Sequence, residues 1–250
     1  MKGFVRVMAV AAMTIGSASV VQAQALPSAS DIVAKYVTAI GGRDNVLKIK
    51  SMTQQATMDI PSAGITAEMQ VVQAAPNLLS SKSTVAGIGE MIQGFNGTVG
   101  WEINPMLGPR LYTDKEVEQA KENNDLHASR LFPADQYSKM DVVEQLDFNG
   151  EKAYKVKMVR KSGSEVTHYF STTTGLLIGS DVTQESPMGS LTMQMKYSKF
   201  EEKDGVKFPT RTEMTMGPNS IITTVKSTTF NDVPATAFEV PAAIKPLISK

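Results

Sequence analysis

The chain has 250 residues with 25 basic and 25 acidic side chains, so it lacks the clustered basic face that a nucleic-acid partner needs. It has no cysteine, which excludes a disulfide framework and a lipidated-cysteine anchor. A chain of this length with 42% hydrophobic residues can hold itself together by apolar burial alone.

Taken in order, Met1-Lys2-Gly3-Phe4-Val5-Arg6 is a basic start, Val7 to Ile15 a short apolar run, and Val21-Gln22-Ala23 a small-residue cleavage pattern. Together they predict a secretory signal peptide, residues 1–23, cut after Ala23. A membrane anchor would need roughly 20 apolar residues, and Thr14, Gly16 and Ser17 interrupt this run. Loss of Lys2 and Arg6 leaves a net charge of −2. The expected mature protein, residues 24–250, is one domain without a transmembrane anchor, soluble in a periplasm-like space.

Asp31 to Ile40 carries Ile32, Val33, Tyr36, Val37 and Ile40 at helical spacing, with Ser28 as the cap and Gly41-Gly42 as the stop. From Ser51 the period changes to two. Met52, Gln54, Ala56, Met58 and Ile60 fall on one face, and Ile65, Ala67, Met69 and Val71 line one face of the next strand. Asn96-Gly97, between apolar runs, predicts a tight hairpin with positive φ at both central residues. Trp101, the one tryptophan, follows that turn. Met106 to Leu111 reads as an apolar loop, and Thr113 with Glu116 forms a capping box opening a charged helical segment that runs to Leu131. The second half returns to strands, turned at Asn149-Gly150, Ser162-Gly163, Thr174-Gly175 and Asp204-Gly205. About ten strands and two helical regions are expected, in a mainly β fold with the helices on one face.

Few residues offer chemistry. The two histidines, His127 and His168, stand in no metal-ligand spacing. His168 alternates with Val166 and Phe170 and is expected to be a buried structural residue, and His127 to be exposed. No Gly-x-Ser-x-Gly elbow, phosphate loop or paired carboxylates can be placed, so no metal, cofactor or catalytic residue is assigned. The methionines carry more information. Twelve of the fifteen lie beyond the leader, several in alternating pairs on strands: Met193 with Met195, and Met214 with Met216. Methionine is flexible and polarizable, suited to surfaces that adapt to apolar partners. With Trp101 and the Met106-Leu107 loop they suggest an apolar cavity under a movable cover.

The order of elements resembles the outer-membrane lipoprotein-sorting superfamily, the LolA/LolB-type carriers. The features that carry the resemblance are an amphipathic helix ending in Gly41-Gly42, the Asn96-Gly97…Trp101 hairpin, the helical flap, Tyr154-Lys155-Val156, Thr173-Thr174-Gly175-Leu176-Leu177 and Asp204-Gly205-Val206-Lys207-Phe208-Pro209. The resemblance implies an unclosed, highly curved antiparallel β-barrel whose concave face is covered by helices, with an apolar cavity for lipid chains. It implies a soluble periplasmic carrier of lipid or lipidated protein that works with inner- or outer-membrane partner proteins, without a cofactor. Arg110 is the candidate for a gating arginine beside the lid. The cavity candidates are Trp101, Met106, Leu107, Arg110, Met193, Met195, Met214 and Met216. Two alternatives remain open: an envelope interaction or stress-sensor module that binds a protein, and a hydrolase or other enzyme on the same fold.

Overall fold

The computed structural model describes residues 25–186 and 189–248; the expected leader lies outside them. Two helices open the chain, α1 (Ala29–Ala39) and α2 (Arg43–Lys48). Six strands follow: β1 (Ser51–Ile60), β2 (Ile65–Ala74), β3 (Leu78–Val85), β4 (Gly89–Phe95), β5 (Gly100–Asn104) and β6 (Gly108–Leu111). A helical connection, α3 (Asp114–Asn123) and α4 (Ala128–Leu131), leads to the second run of strands. These are β7 (Tyr137–Phe148), β8 (Glu151–Arg160), β9 (Glu165–Ser171), β10 (Leu177–Ser186), β11 (Gly189–Lys203), β12 (Val206–Met216) and β13 (Asn219–Phe230). A 3-10 turn, Ala235–Phe238, and α5 (Lys245–Ile248) close the described chain.

All described strands belong to one antiparallel sheet, ordered β6-β5-β4-β3-β2-β1-β13-β12-β11-β10-β9-β8-β7. Two meanders, β1 to β6 and β7 to β13, are stitched together where β1 pairs with β13. Strands β6 and β7 are left as free edges, so the half-barrel is unclosed. The sheet has thirteen strands where the sequence suggested ten. Residues Gly108–Leu111, read as a loop, form a strand because Pro109 lies on an edge, where its missing N–H breaks no interior ladder.

Turn chemistry explains the register. Asn149-Gly150 and Asp204-Gly205 both take positive φ at two successive residues, the twist that two-residue hairpins require. The Asn96-Gly97 turn departs from expectation, since only Gly97 has positive φ. Asn96 instead closes a wider loop through its side chain, its Oδ1 accepting from the Thr98 and Val99 N–H groups at 3.1 and 2.8 Å. Asparagine side chains commonly take this role in turns.

The helices are capped as their sequence demands. The Asp31 N–H donates to Ser28 Oγ, and Thr113 and Glu116 exchange the reciprocal bonds of a capping box. The main core lies between the helices and one face of the sheet. Ile32, Val33 and Tyr36 of α1 and its C-cap Ile40 meet Leu131 and Phe132 from the α4 end, over Val156, Met158 and Phe170 of β8 and β9. Tyr36 packs its ring 5.6 Å from Phe132 and 5.5 Å from Phe170. A smaller cluster, Phe148, Ala153, Tyr169 and Ile178, lies on the other face.

Candidate functional site

A single cross-strand row defines the concave face. Ile221 pairs with Met214, Met214 with Met195, Met195 with Ser180, Ser180 with His168, His168 with Val156, and Val156 with Val142. Directly paired residues point to the same side of a sheet, so the row stays on one face from β13 to β7. Its β8–β10 part lies under the helices, where Val156, His168 and Ser180 are buried. Its β11–β13 part is only half-buried. Met193 and Met216 extend that part along their strands, and Met58, Ile60 and Met69 continue it on β1 and β2, all of them half-buried.

Met193, Met195, Met214 and Met216 are thus brought together on the concave face. The other four candidates are placed elsewhere. Trp101 pairs with Gly94, whose neighbours across the sheet are Ser80 and Val72. This is the opposite face from Met52 and Phe95. A Cβ on Gly94 would overlap the indole, so glycine there lets the ring lie flat on the strand. Trp101 is 1% exposed; the C-terminal turn and α5 run against β3 and β6, where Phe238 and Ile244 are buried. The indole Nε1 is a buried donor without a partner among the described residues.

Met106 and Leu107 are 80% and 85% exposed at the tip of the β5–β6 hairpin. Arg110 is exposed on the edge strand. It forks onto Glu102 at 2.7 Å and Glu116 at 3.0 Å, with Tyr112 beneath it. Glu116 and Glu102 hold its pKa above the usual arginine value, and Arg110 with the Thr113 N–H holds the Glu116 carboxyl below the usual carboxylate value. Trp101, Met106, Leu107 and Arg110 are therefore not gathered with the four methionines.

Sequence reading missed the polar groups at the boundary between the covered and open parts. Arg130, on α4, donates through Nη1 to the Leu126 carbonyl at 2.7 Å and reaches Met52 Sδ, on the concave face of β1, at 3.7 Å. Part of the residue remains accessible, yet burial pulls the guanidinium pKa down, opposed only by Tyr36. No carboxylate pairs with it among the described residues. Burial pushes the Tyr36 phenol up to about 12, with Arg130 partly opposing. Tyr197, raised by burial as well, donates to Met195 Sδ at 3.2 Å and lies 3.4 Å from Ser180 Oγ. The one sequence signal for Arg130 was its place four residues after the apolar Leu126.

Both histidines are anchored. His168 Nδ1 lies 2.7 Å from Ser180 Oγ, with Phe132 4.9 Å from its ring. Burial, assisted by Arg160, drives its pKa down to about 3. His127, expected to be exposed, is half-buried with Nε2 2.7 Å from the Ile49 carbonyl. It helps line a cleft of about 470 Å³ between α2, α4 and the β2–β3 turn, with Leu47, Pro76 and Leu131. Among the described residues no three His, Cys, Asp or Glu side chains gather as metal ligands.

The unclosed antiparallel half-barrel is similar to the folds of several solved structures. A DUF1329 family protein from Desulfovibrio piger aligns with a TM-score of 0.57 at 13% identity, over 86% of this chain and 98% of that one. A LolA superfamily protein from Nitrosomonas europaea gives 0.56 at 14%, over 86% and 99%. A domain named for outer membrane lipoprotein sorting, from Vibrio parahaemolyticus, gives 0.52 at 10%, over 87% and 100%. At such identities the likeness establishes the fold. No family model and no curated protein sequence matches the chain.

Proposed function

We propose that this protein is a non-catalytic carrier or binding protein for lipid or lipoprotein acyl chains, working in the periplasm after its leader is removed. The observation that carries this reading is the half-buried, methionine-lined part of the concave face, contiguous with the helix-covered core. Apolar side chains left partly open on an inward-curving sheet are suited to an apolar guest, and each acyl methylene buried there contributes about 0.8 kcal/mol. The fold shared with LolA-type proteins supports the same reading.

A catalytic reading finds less support. The one close Ser–His contact, Ser180 with His168, pairs a serine 2% exposed with an imidazole whose pKa lies near 3. Such a base is too weak to accept a serine proton at neutral pH. The protein-binding alternative would use the same concave face or a sheet edge, and both edges are blunted: β6 has four residues including Pro109, and β7 carries two bulges. Short strands, proline and bulges are how edges avoid pairing with other chains.

The test is mass spectrometry of lipids extracted from mature protein purified from its native envelope without detergent. A near-stoichiometric lipid or acylated peptide is expected. Lipid-free protein that also fails to take up any acyl ligand after purification would sink the proposal.

A further inference from the structure

The half-buried arginine of α4 has fewer partners than its chemistry calls for. A guanidinium carries five N–H donors and a fixed charge, and Arg130 has one carbonyl and one thioether as acceptors. Arg110, on the surface, has two carboxylates. A charge removed from water without a counter-ion is strongly unfavourable, and the partly accessible Arg130 stands where a guest could supply one. Tyr36, whose pKa burial pushes up to about 12, packs its ring 5.6 Å from Phe132, two residues from Arg130, and its hydroxyl donates to no described residue. A second donor is thus available at the same place.

The apolar path starts here. Met52 touches the guanidinium. Tyr36 packs on Phe132, Phe132 on His168, and His168 Nδ1 lies 2.7 Å from Ser180 Oγ. Tyr197 reaches that Oγ at 3.4 Å and touches Met195, which pairs with Met214 and then Ile221. A cation at one end of a half-open apolar strip complements an amphiphile with one negative charge at the end of a long chain. The planar fork of arginine matches a carboxylate in two parallel hydrogen bonds. Neutral ester or amide heads would leave the charge unanswered.

On this basis, and resting on the carrier reading above, we propose that Arg130 with Tyr36 is a head-group site that selects long-chain amphiphiles with a monoanionic head, the carboxylate of a free fatty acid being the best match, while the chain lies over Met195, Met214 and Ile221.

The experiment is calorimetric titration of delipidated full-length mature protein with palmitate, methyl palmitate and palmitoyl-lysophosphatidylglycerol, each below its aggregation concentration. Palmitate is expected to bind about 10- to 100-fold more tightly than methyl palmitate, the range a charge-assisted hydrogen bond supports. In Arg130→Leu that preference should shrink to about threefold or less, with methyl palmitate binding retained. Arg130→Lys, which keeps the charge, should hold an intermediate preference. Tyr36→Phe, which removes only the hydroxyl, serves if the leucine variant does not fold, and should reduce the preference without abolishing it. Equal affinity of the wild type for palmitate and its methyl ester overturns the head-group site and leaves the carrier reading standing. An unchanged preference in the folded Arg130 variants, or in Tyr36→Phe where Arg130→Leu does not fold, overturns it as well. Failure of all three ligands to bind overturns the carrier reading itself. Tight binding of the lysophospholipid in place of palmitate keeps the anion site and assigns its source to a phosphate-bearing lipid.

Discussion

The two ends of the row from Ile221 to Val142 are built from the same sheet, on the same face, and are made for different purposes. At the β8–β9 end the neighbours are Phe170, Val156, Met158 and His168, closed over by Tyr36 and Phe132 with ring centroids 4.9 to 6.0 Å apart. At the β11–β13 end they are Met193, Met195, Met214, Met216 and Ile221, none fully buried. The first end is rigid and shape-specific, as close-packed aromatic cores are. The second is lined with the side chain that best tolerates a change of partner. One end holds the fold and the other is free to hold something else.

The sharpest way to break this contrast is to delete matched side chains at each end. Phe170→Ala removes a fully buried ring that touches Tyr36, Phe132 and His168. The expected loss is about 3–5 kcal/mol, read from urea unfolding. Met195→Ser with Met214→Ser, at the open end, should cost about 1–2 kcal/mol while weakening acyl-chain binding about tenfold. The comparison fails if the serine pair destabilises as much as the phenylalanine deletion, because the methionines would then be ordinary core.

Histidine 168 supplies a pH version of the same test. Its ordinary value is 6.5, and in the fold burial holds it near 3. Between those values the unfolded chain binds a proton that the folded chain refuses. Stability must therefore fall as pH drops through that window, by up to about 1.4 kcal/mol per unit. This contribution is absent in His168→Gln. Urea midpoints at pH 6.5, 5.5 and 4.5 should converge between variant and wild type as the medium is acidified; parallel curves would mean that the imidazole is not enclosed as described.

These expectations depend on long-range facts that sequence periodicity states only in part. Alternation fixes which residues share a face, and so Met193 with Met195, and Met214 with Met216, could be paired by inspection. It does not say which face is concave. Trp101 was grouped with the methionines because it neighbours the Met106-Leu107 tip in sequence. Its actual side is set by the register that pairs it with Gly94 and, through Gly94, with Ser80 and Val72. The succession of hairpins was legible because its turns are chemically explicit, as at Asn149-Gly150 and Asp204-Gly205; the unclosed half-barrel came from the family resemblance. Arg130 was hidden for the opposite reason. It lies in a stretch whose charges, Lys115, Glu118, Lys121 and Glu122 among them, read as a solvated helix. Only its placement four residues after Leu126 separates it from them.

The smallest expected effect separates the two arginines. Arg110→Ala removes an exposed residue paired with Glu102 and Glu116. Solvent screens such pairs and flexible side chains weaken them, so the stability change should be below about 1 kcal/mol. Because Arg110 lies on the edge strand and away from the Met195–Met214 strip, palmitate binding should be unchanged. The measurement is the same calorimetric titration used for Arg130→Leu, run side by side. If Arg110→Ala lowered binding as much as Arg130→Leu, the edge of the sheet would be the gate, and the β5–β6 hairpin with its exposed Met106 and Leu107 would regain the role of a cover. If only Arg130→Leu lowers it, the charge that matters is the one on α4. The glutamates of the surface pair are then there to pin the start of α3 to the sheet edge.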